Sequence, residues 1–203
     1  ESLIMKILDN KIIDEYRVYN GVYYDFSIKI YEEKPYFVIV GGNFNEYIID
    51  GQKELFMTTF IKIYDATKFI DKKTERMPVP PGLGPTDEPY PEQLVKRIKL
   101  LKRLSDEKLV CDTEGDKMEG YESFQNINAF SMSDNFTHAA VSLDKGGILL
   151  IYGRPNLLEC NTKDMKMIYL PKIIVKDREA HITNLNFADL FIKNEMKRIL
   201  YAS

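Results

Sequence analysis

The segment Ala140 to Gly153, "AVSLDKGGILLIYG", decides the fold. Lys145-Gly146-Gly147 stands between two apolar runs, where it can hold a phosphate or turn the chain. A Walker-type loop needs Gly-x-x-x-x-Gly-Lys-Ser/Thr, so that backbone N–H groups enclose the phosphates and the Lys neutralises them. Here Lys145 precedes the glycines and no Ser or Thr follows. A dinucleotide site needs a helix opening after its glycines, whereas Ile148 to Tyr152 reads as a strand. Asp-Lys-Gly-Gly instead supplies the positive φ that a tight strand connection demands, and Gly41-Gly42-Asn43 reads the same way. The stretch is a β-hairpin.

Segments of the same type run through the chain: "SLIMKIL", "IIDEYRVY", "DFSIKIYE", "YFVIVGG", "TFIKIYD", "HAAVSL", "GILLIYG", "MIYLP", "ITNLNF" and "RILYAS". They are rich in Ile, Val, Tyr and Phe, often alternate in polarity and are separated by Gly, Asn, Asp and Pro, which predicts many antiparallel strands. Three resemble one another: "IMKILD" from Ile4, "FIKIYD" from Phe60 and "ILLIYG" from Ile148, with starts 56 and 88 residues apart. A four-stranded propeller blade takes roughly 40 to 45 residues, so both intervals require insertions. "GGNFNEYIIDGQKELFMT" (Gly41 to Thr58) lengthens the first.

The second holds residues 76–123. "RMPVPPGLGPTDEPYPEQ" from Arg76 contains Pro78, Pro80, Pro81, Pro85 and Pro89, which forbid a central strand. "PEQLVKRIKLLKRLSDEKLV" (Pro91 to Val110) then has helical spacing, with Leu94, Ile98, Leu101 and Leu104 on one face and Pro91 in the first turn. The sequence therefore predicts an all-β, partial WD40-like β-propeller. Residues 1–75 and 124–203 carry about three blades, and residues 76–123 form a Pro-rich and helical insertion. A ring needs typically 4 to 8 blades, so these cannot close one unaided. With a start at Glu1, part of a longer chain is expected.

With 203 residues, 44% of them hydrophobic, the chain can bury a core. A net charge of -3 gives no general attraction to nucleic acid, whose binding rests largely on neutralised phosphates. Cys111 and Cys160 lie far apart with no further ligand at zinc spacing, so neither a metal site nor a disulfide framework is expected. Cys111, in a polar stretch, is expected to be accessible, with no activating neighbour. His138 and His181 have no Ser, Cys or carboxylate at a suggestive spacing and read as structural. No catalytic residue, cofactor or metal site is expected. On the predicted helix, Lys96, Arg97, Lys99, Lys102 and Arg103 decorate the polar side. Such a face suits a membrane surface or a partner, or a solvated helix packed on the propeller rim.

The segment "INAFSMSDNFTHAAVSLDKGGILLIYGRPNLLECNTKDMKMIYLP", with "AHITNLNF" after it, resembles the N-terminal β-propeller of the class C vacuolar protein sorting subunit eleven family. That family supplies a core subunit of the HOPS and CORVET membrane-tethering complexes. Ser133, Ala140, Val141, Gly146, Ile148, Ile151, Arg154, Ile182, Thr183 and Leu185 occupy the family's motif places. "IMKILDNKIIDEYRVY", "PYFVIVGG" and "FIKIYDATKF" fit more loosely. The family's Val-Gly-Phe is replaced by Val141-Ser142-Leu143, and its Arg-Gly-Asp with a basic stretch by "YGRPNLLECNTKD". The resemblance implies a non-catalytic scaffold for vesicle transport and fusion. It would be cytoplasmic and peripheral on late endosome, vacuole or lysosome membranes, with sister tethering subunits as partners. The family's zinc-binding RING has no counterpart in these residues. The alternatives are another coat or tethering propeller and a propeller that binds a ligand or acts as an enzyme.

Overall fold

The computed structural model describes residues 2–8, 11–18, 22–49, 52–67, 93–112, 119–144, 146–171, 174–175, 178–179, 181–192 and 195–203. The prolines at 78 to 89, Pro91 and Lys145 lie outside the described residues. The chain is all-β. A hairpin of β1 (Ser2–Leu8) and β2 (Lys11–Val18) precedes a four-stranded antiparallel meander, β3 (Val22–Tyr31), β4 (Lys34–Ile49), β5 (Gln52–Asp65) and β6 (Leu94–Lys99). A small sheet follows, in which β7 (Leu101–Arg103) lies between β8 (Leu109–Val110) and β9 (Tyr121–Ser123). The second meander is β10 (Ile127–Met132), β11 (His138–Leu143), β12 (Ile148–Tyr152) and β13 (Lys166–Leu170). The short pair β14 (Ile174–Val175) and β15 (Arg178–Glu179) leads to a hairpin of β16 (Leu185–Ile192) and β17 (Glu195–Ala202).

The extended connection in the first meander is itself paired strand, because β4 and β5 stay in register from Tyr36↔Asp65 to Ile49↔Gln52, so Gly41-Gly42-Asn43, expected to turn the chain, runs straight through β4 opposite Phe60, Thr59 and Thr58. The helix expected over Pro91 to Val110 is not formed. Its place is taken by β6, paired to β5 through Phe60↔Lys99 and Ile61↔Ile98, and by β7. Leu, Lys and Arg are good helix formers, but propensity is a weak determinant that tertiary context overrides, and the buried backbone of β5 must find hydrogen-bond partners. The segment also buries Ile98 and, just past the end of β6, Leu100 completely.

Alternation along each strand builds the packing. Val38, Val40, Ile61, Ile63, Ile98 and Leu100 from one face of the first meander meet Phe130, Met132, Ala139, Val141, Leu149 and Ile151 from the second. The opposite face of the second meander, through Ala129, Ala140 and Ile148, meets Ile182, Leu185, Phe187 and Leu200 around the last hairpin. Each fully buried Ile or Leu contributes roughly 1.5 to 3 kcal/mol. Three sheets are thus stacked face to face, and β10 lies beside β3 on one side and β16 on the other. Ser142, where the resembled family has glycine, is fully buried and donates its hydroxyl to the Ile182 carbonyl at 3.3 Å.

The β11–β12 turn closes as the sequence demands. Leu143 N–H donates to Gly147 O at 2.8 Å, Gly146 N–H donates to Leu143 O at 2.9 Å, and Gly146 has φ 82°. An L side chain in that region costs about 1 to 2 kcal/mol. Gly146→Ala is therefore expected to lower the unfolding free energy by about that amount in urea titrations.

Candidate functional site

The richest polar cluster among the described residues lies where the last hairpin meets the second meander. The β10–β11 connection, "SDNFTH", is held by Ser133, whose Oγ accepts the His138 N–H at 3.0 Å and donates to Asn135 Oδ1 at 3.2 Å. This turn sends Phe136 into the core at φ 57°. It leaves Asn135, Thr137 and His138 facing β17. There Arg198, cross-strand from Asp189, makes a two-pronged ion pair with it, Nε to Oδ1 at 2.7 Å and Nη2 to Oδ2 at 2.6 Å. Its remaining nitrogen, Nη1, donates to Asn135 Oδ1 at 2.8 Å and to Thr137 Oγ1, and lies 3.3 Å from His138 Nδ1.

The His138 ring is stacked 6.1 Å from Tyr152 and tilted against Phe187. Burial first, and then the Arg198 cation, hold its pKa below the ordinary value. The Arg198 hydrogen bonds hold the Asp189 carboxyl below the usual carboxylate range. A cleft of about 620 Å³ runs beside the cluster, walled by Leu150, Tyr152 and Ile168, with Arg154 exposed at its rim.

Chemically the cluster is a joint. A general base must accept a proton, and a guanidinium beside the ring opposes that. The Ser133 hydroxyl is bound to backbone and amide rather than to the imidazole. His181 is exposed and stands apart from the cluster. Among the described residues no group of three or more His, Cys, Asp or Glu could hold a metal ion.

The five basic residues form no common face. Lys96 donates to Cys160 O at 3.0 Å, Arg97 stands 5.5 Å from the Phe60 ring centre, and Lys99 is buried. Lys102 pairs with Glu107 at 3.0 Å and Arg103 with Asp106 at 2.6 Å. Period-two alternation in β6 sends neighbouring cations to opposite sides of the sheet, which removes the helical face expected for a membrane or partner. The phosphate-loop geometry is likewise missing, since the Gly146 N–H is turned back onto Leu143 O. A second cleft, about 590 Å³, lies beside this turn between Phe124, Leu143 and Tyr169.

Cys111 is buried, against the expectation of an accessible thiol, because the chain after β8 dips into the core that also takes Cys160. Burial, with smaller contributions from Cys160 and Asp112, pushes its pKa up to about 12. Only the thiolate reacts readily. A maleimide is therefore expected to label Cys111 at least about a hundredfold more slowly in the native protein than in urea at neutral pH, as read by mass spectrometry of the digested chain. Comparable rates in the two states would contradict its burial.

Sequence reasoning missed Arg198 and Asp189. The one signal within reach was the Ser133 turn, which marks where a neighbouring strand has polar groups to meet. Comparison with protein-family models, curated proteins and solved structures yields no match in any of the three. Among the described residues no helix is long and apolar enough to cross a membrane.

Proposed function

We propose that this chain is a non-catalytic interaction module built as a run of propeller blades, serving in a membrane-tethering complex of the HOPS or CORVET kind. The observation that carries the blade reading is the placement of β3, β10 and β16. Each opens its own antiparallel sheet, and β10 touches both of the others, as the innermost strands of successive blades do around an axis. Both four-stranded sheets are meanders in chain order, and their faces stack through continuous apolar clusters.

The non-catalytic reading is supported by the state of the polar groups. Arg198 is held by Asp189 within its own hairpin and reaches across to Asn135, Thr137 and His138 of the next sheet, which leaves no activated nucleophile in the cluster. A rigid sheet stack offers a preorganised surface, so a partner binds it with little loss of chain entropy. The tethering assignment itself rests on the resemblance of the segments Ile127 to Pro171 and Ala180 to Phe187 to the subunit-eleven family. The chain is expected to co-purify with the sister core subunits of such a complex when they are co-expressed. Failure to retain any of them, with the chain folded by circular dichroism, would remove the tethering assignment while leaving the fold untouched.

A further inference from the structure

We propose that Asn135, Thr137, His138, Asp189 and Arg198 form a proton-sensitive latch that keeps the β16–β17 hairpin docked at neutral pH and loosens it on mild acidification. The proposal concerns the joint between two sheets and does not depend on the tethering reading.

The latch works because the His138 ring lies against the Arg198 guanidinium. Nδ1 lies 3.3 Å from Arg198 Nη1, whose two protons go to Asn135 Oδ1 and Thr137 Oγ1, and 2.8 Å from Thr137 Oγ1, which donates to Asn135 Oδ1 at 2.8 Å, so the ring fits there as a neutral group. A proton added to the ring sets a second cation against the first. Asp189 offsets part of the repulsion, but both its oxygens already serve Arg198. The other neighbours of the ring, Tyr152 and Phe187, supply no negative charge. The charged residues nearby on β12 and β13, Arg154 at the cleft rim and Lys166 opposite Tyr152, add only positive charge.

The sign follows. His138 is held below its ordinary pKa of 6.5, so the docked state binds the proton less readily than the undocked one. Docking is complete above about pH 6.5 and weakens as pH falls below it. Asp189, held below its ordinary 3.8, keeps its charge through that window. A two-stranded hairpin released from its sheet is marginal in water, so its backbone amides exchange once it lifts.

Hydrogen exchange of residues 185–202, corrected for intrinsic rate, tests this in the whole chain. Protection is expected to fall severalfold between about pH 7.5 and pH 5.0, in the direction that the lowered His138 pKa sets. His138→Phe, which keeps an aromatic ring against Tyr152 and cannot titrate, is expected to reduce the change to less than about twofold. His138→Gln serves as the second variant, and His181→Gln should retain the full drop. Equal protection at the two pH values in the unsubstituted chain, or an undiminished drop in both His138 variants, would overturn the proposal.

Discussion

Replacing Phe136 by Ala is expected to lower the unfolding free energy by about 3 to 5 kcal/mol, the usual cost of emptying a fully buried phenylalanine site. Phe136 has no exposed surface. Its ring meets the edges of Tyr31 at 5.8 Å and Tyr36 at 5.4 Å, so one residue of the β10–β11 turn packs against both ends of the β3–β4 turn. Its backbone is committed too, for its N–H donates to Ser133 O at 2.9 Å and its carbonyl accepts the Leu157 N–H at 2.7 Å.

The site cannot collapse easily, because Tyr31 and Tyr36 belong to one sheet and the turn that carries Phe136 to another, and the two would have to shift together. Against a typical total stability of about 5 to 15 kcal/mol, the loss takes a large share. Two companion variants separate the causes. Phe136→Leu keeps most of the volume and is expected to cost about 1 to 2 kcal/mol. Phe136→Gly leaves a similar hole but relieves the backbone at φ 57°, so it should be no worse than the Ala variant despite its smaller side chain. Urea midpoints at constant m report all three, and a loss under about 1 kcal/mol for Phe136→Ala would mean that the two meanders do not meet at this residue.

The parts of this molecule legible in its sequence were those set by neighbours in the chain. The Asp144 to Gly147 turn was visible because only glycine adopts its φ without strain, and Ser133 because a Ser-Asp-Asn run closes a connection on its own backbone. Strand alternation in "YFVIVGG" and "FIKIYD" was equally local, since Val38 and Val40, or Ile61 and Ile63, share a face by period two. The polar joint was hidden for the opposite reason. Arg198 reaches Asp189 only because the hairpin folds back between them, and reaches Thr137 and His138 only because that hairpin lies against another sheet. Nothing in the spacing of residues 137, 189 and 198 encodes either step. Cys111 deceived in a similar way: its polar neighbours in sequence are not its neighbours in space, which are apolar residues of the main core.

The helix expected over Pro91 to Val110 turns on a sharper ambiguity, because one run of leucines satisfies two periods. Leu94, Ile98, Leu101 and Leu104 repeat at helical spacing, while Ile98 and Leu100 repeat at strand spacing, and no residue within the run decides. The partner does. The open edge of β5 takes up Leu94–Lys99, and the Leu100 N–H continues the pairing by donating to Thr59 O at 3.0 Å, while its carbonyl accepts the Phe124 N–H at 3.0 Å. Leu100 is therefore fully buried in the main core, whereas Leu104, at the far end of the helical stripe, is 57% exposed.

The two periods make different demands at residue 104. As a strand, the segment predicts that Leu100→Ala costs about 2 to 5 kcal/mol and that Leu104→Ala stays within about 0.5 kcal/mol of the unsubstituted chain. A helix packed by its stripe would instead bury Leu104 and make its loss comparable to that at Leu100, since residues four apart share a helix face. Parallel urea titrations of the two variants decide the question, and a loss at Leu104 as large as that at Leu100 would restore the helix. The same result bears on the basic residues. Only a helix can bring Lys96, Arg97, Lys99, Lys102 and Arg103 onto one surface, so a dominant Leu100 effect also predicts that this segment gives the chain no salt-dependent attraction to anionic vesicles.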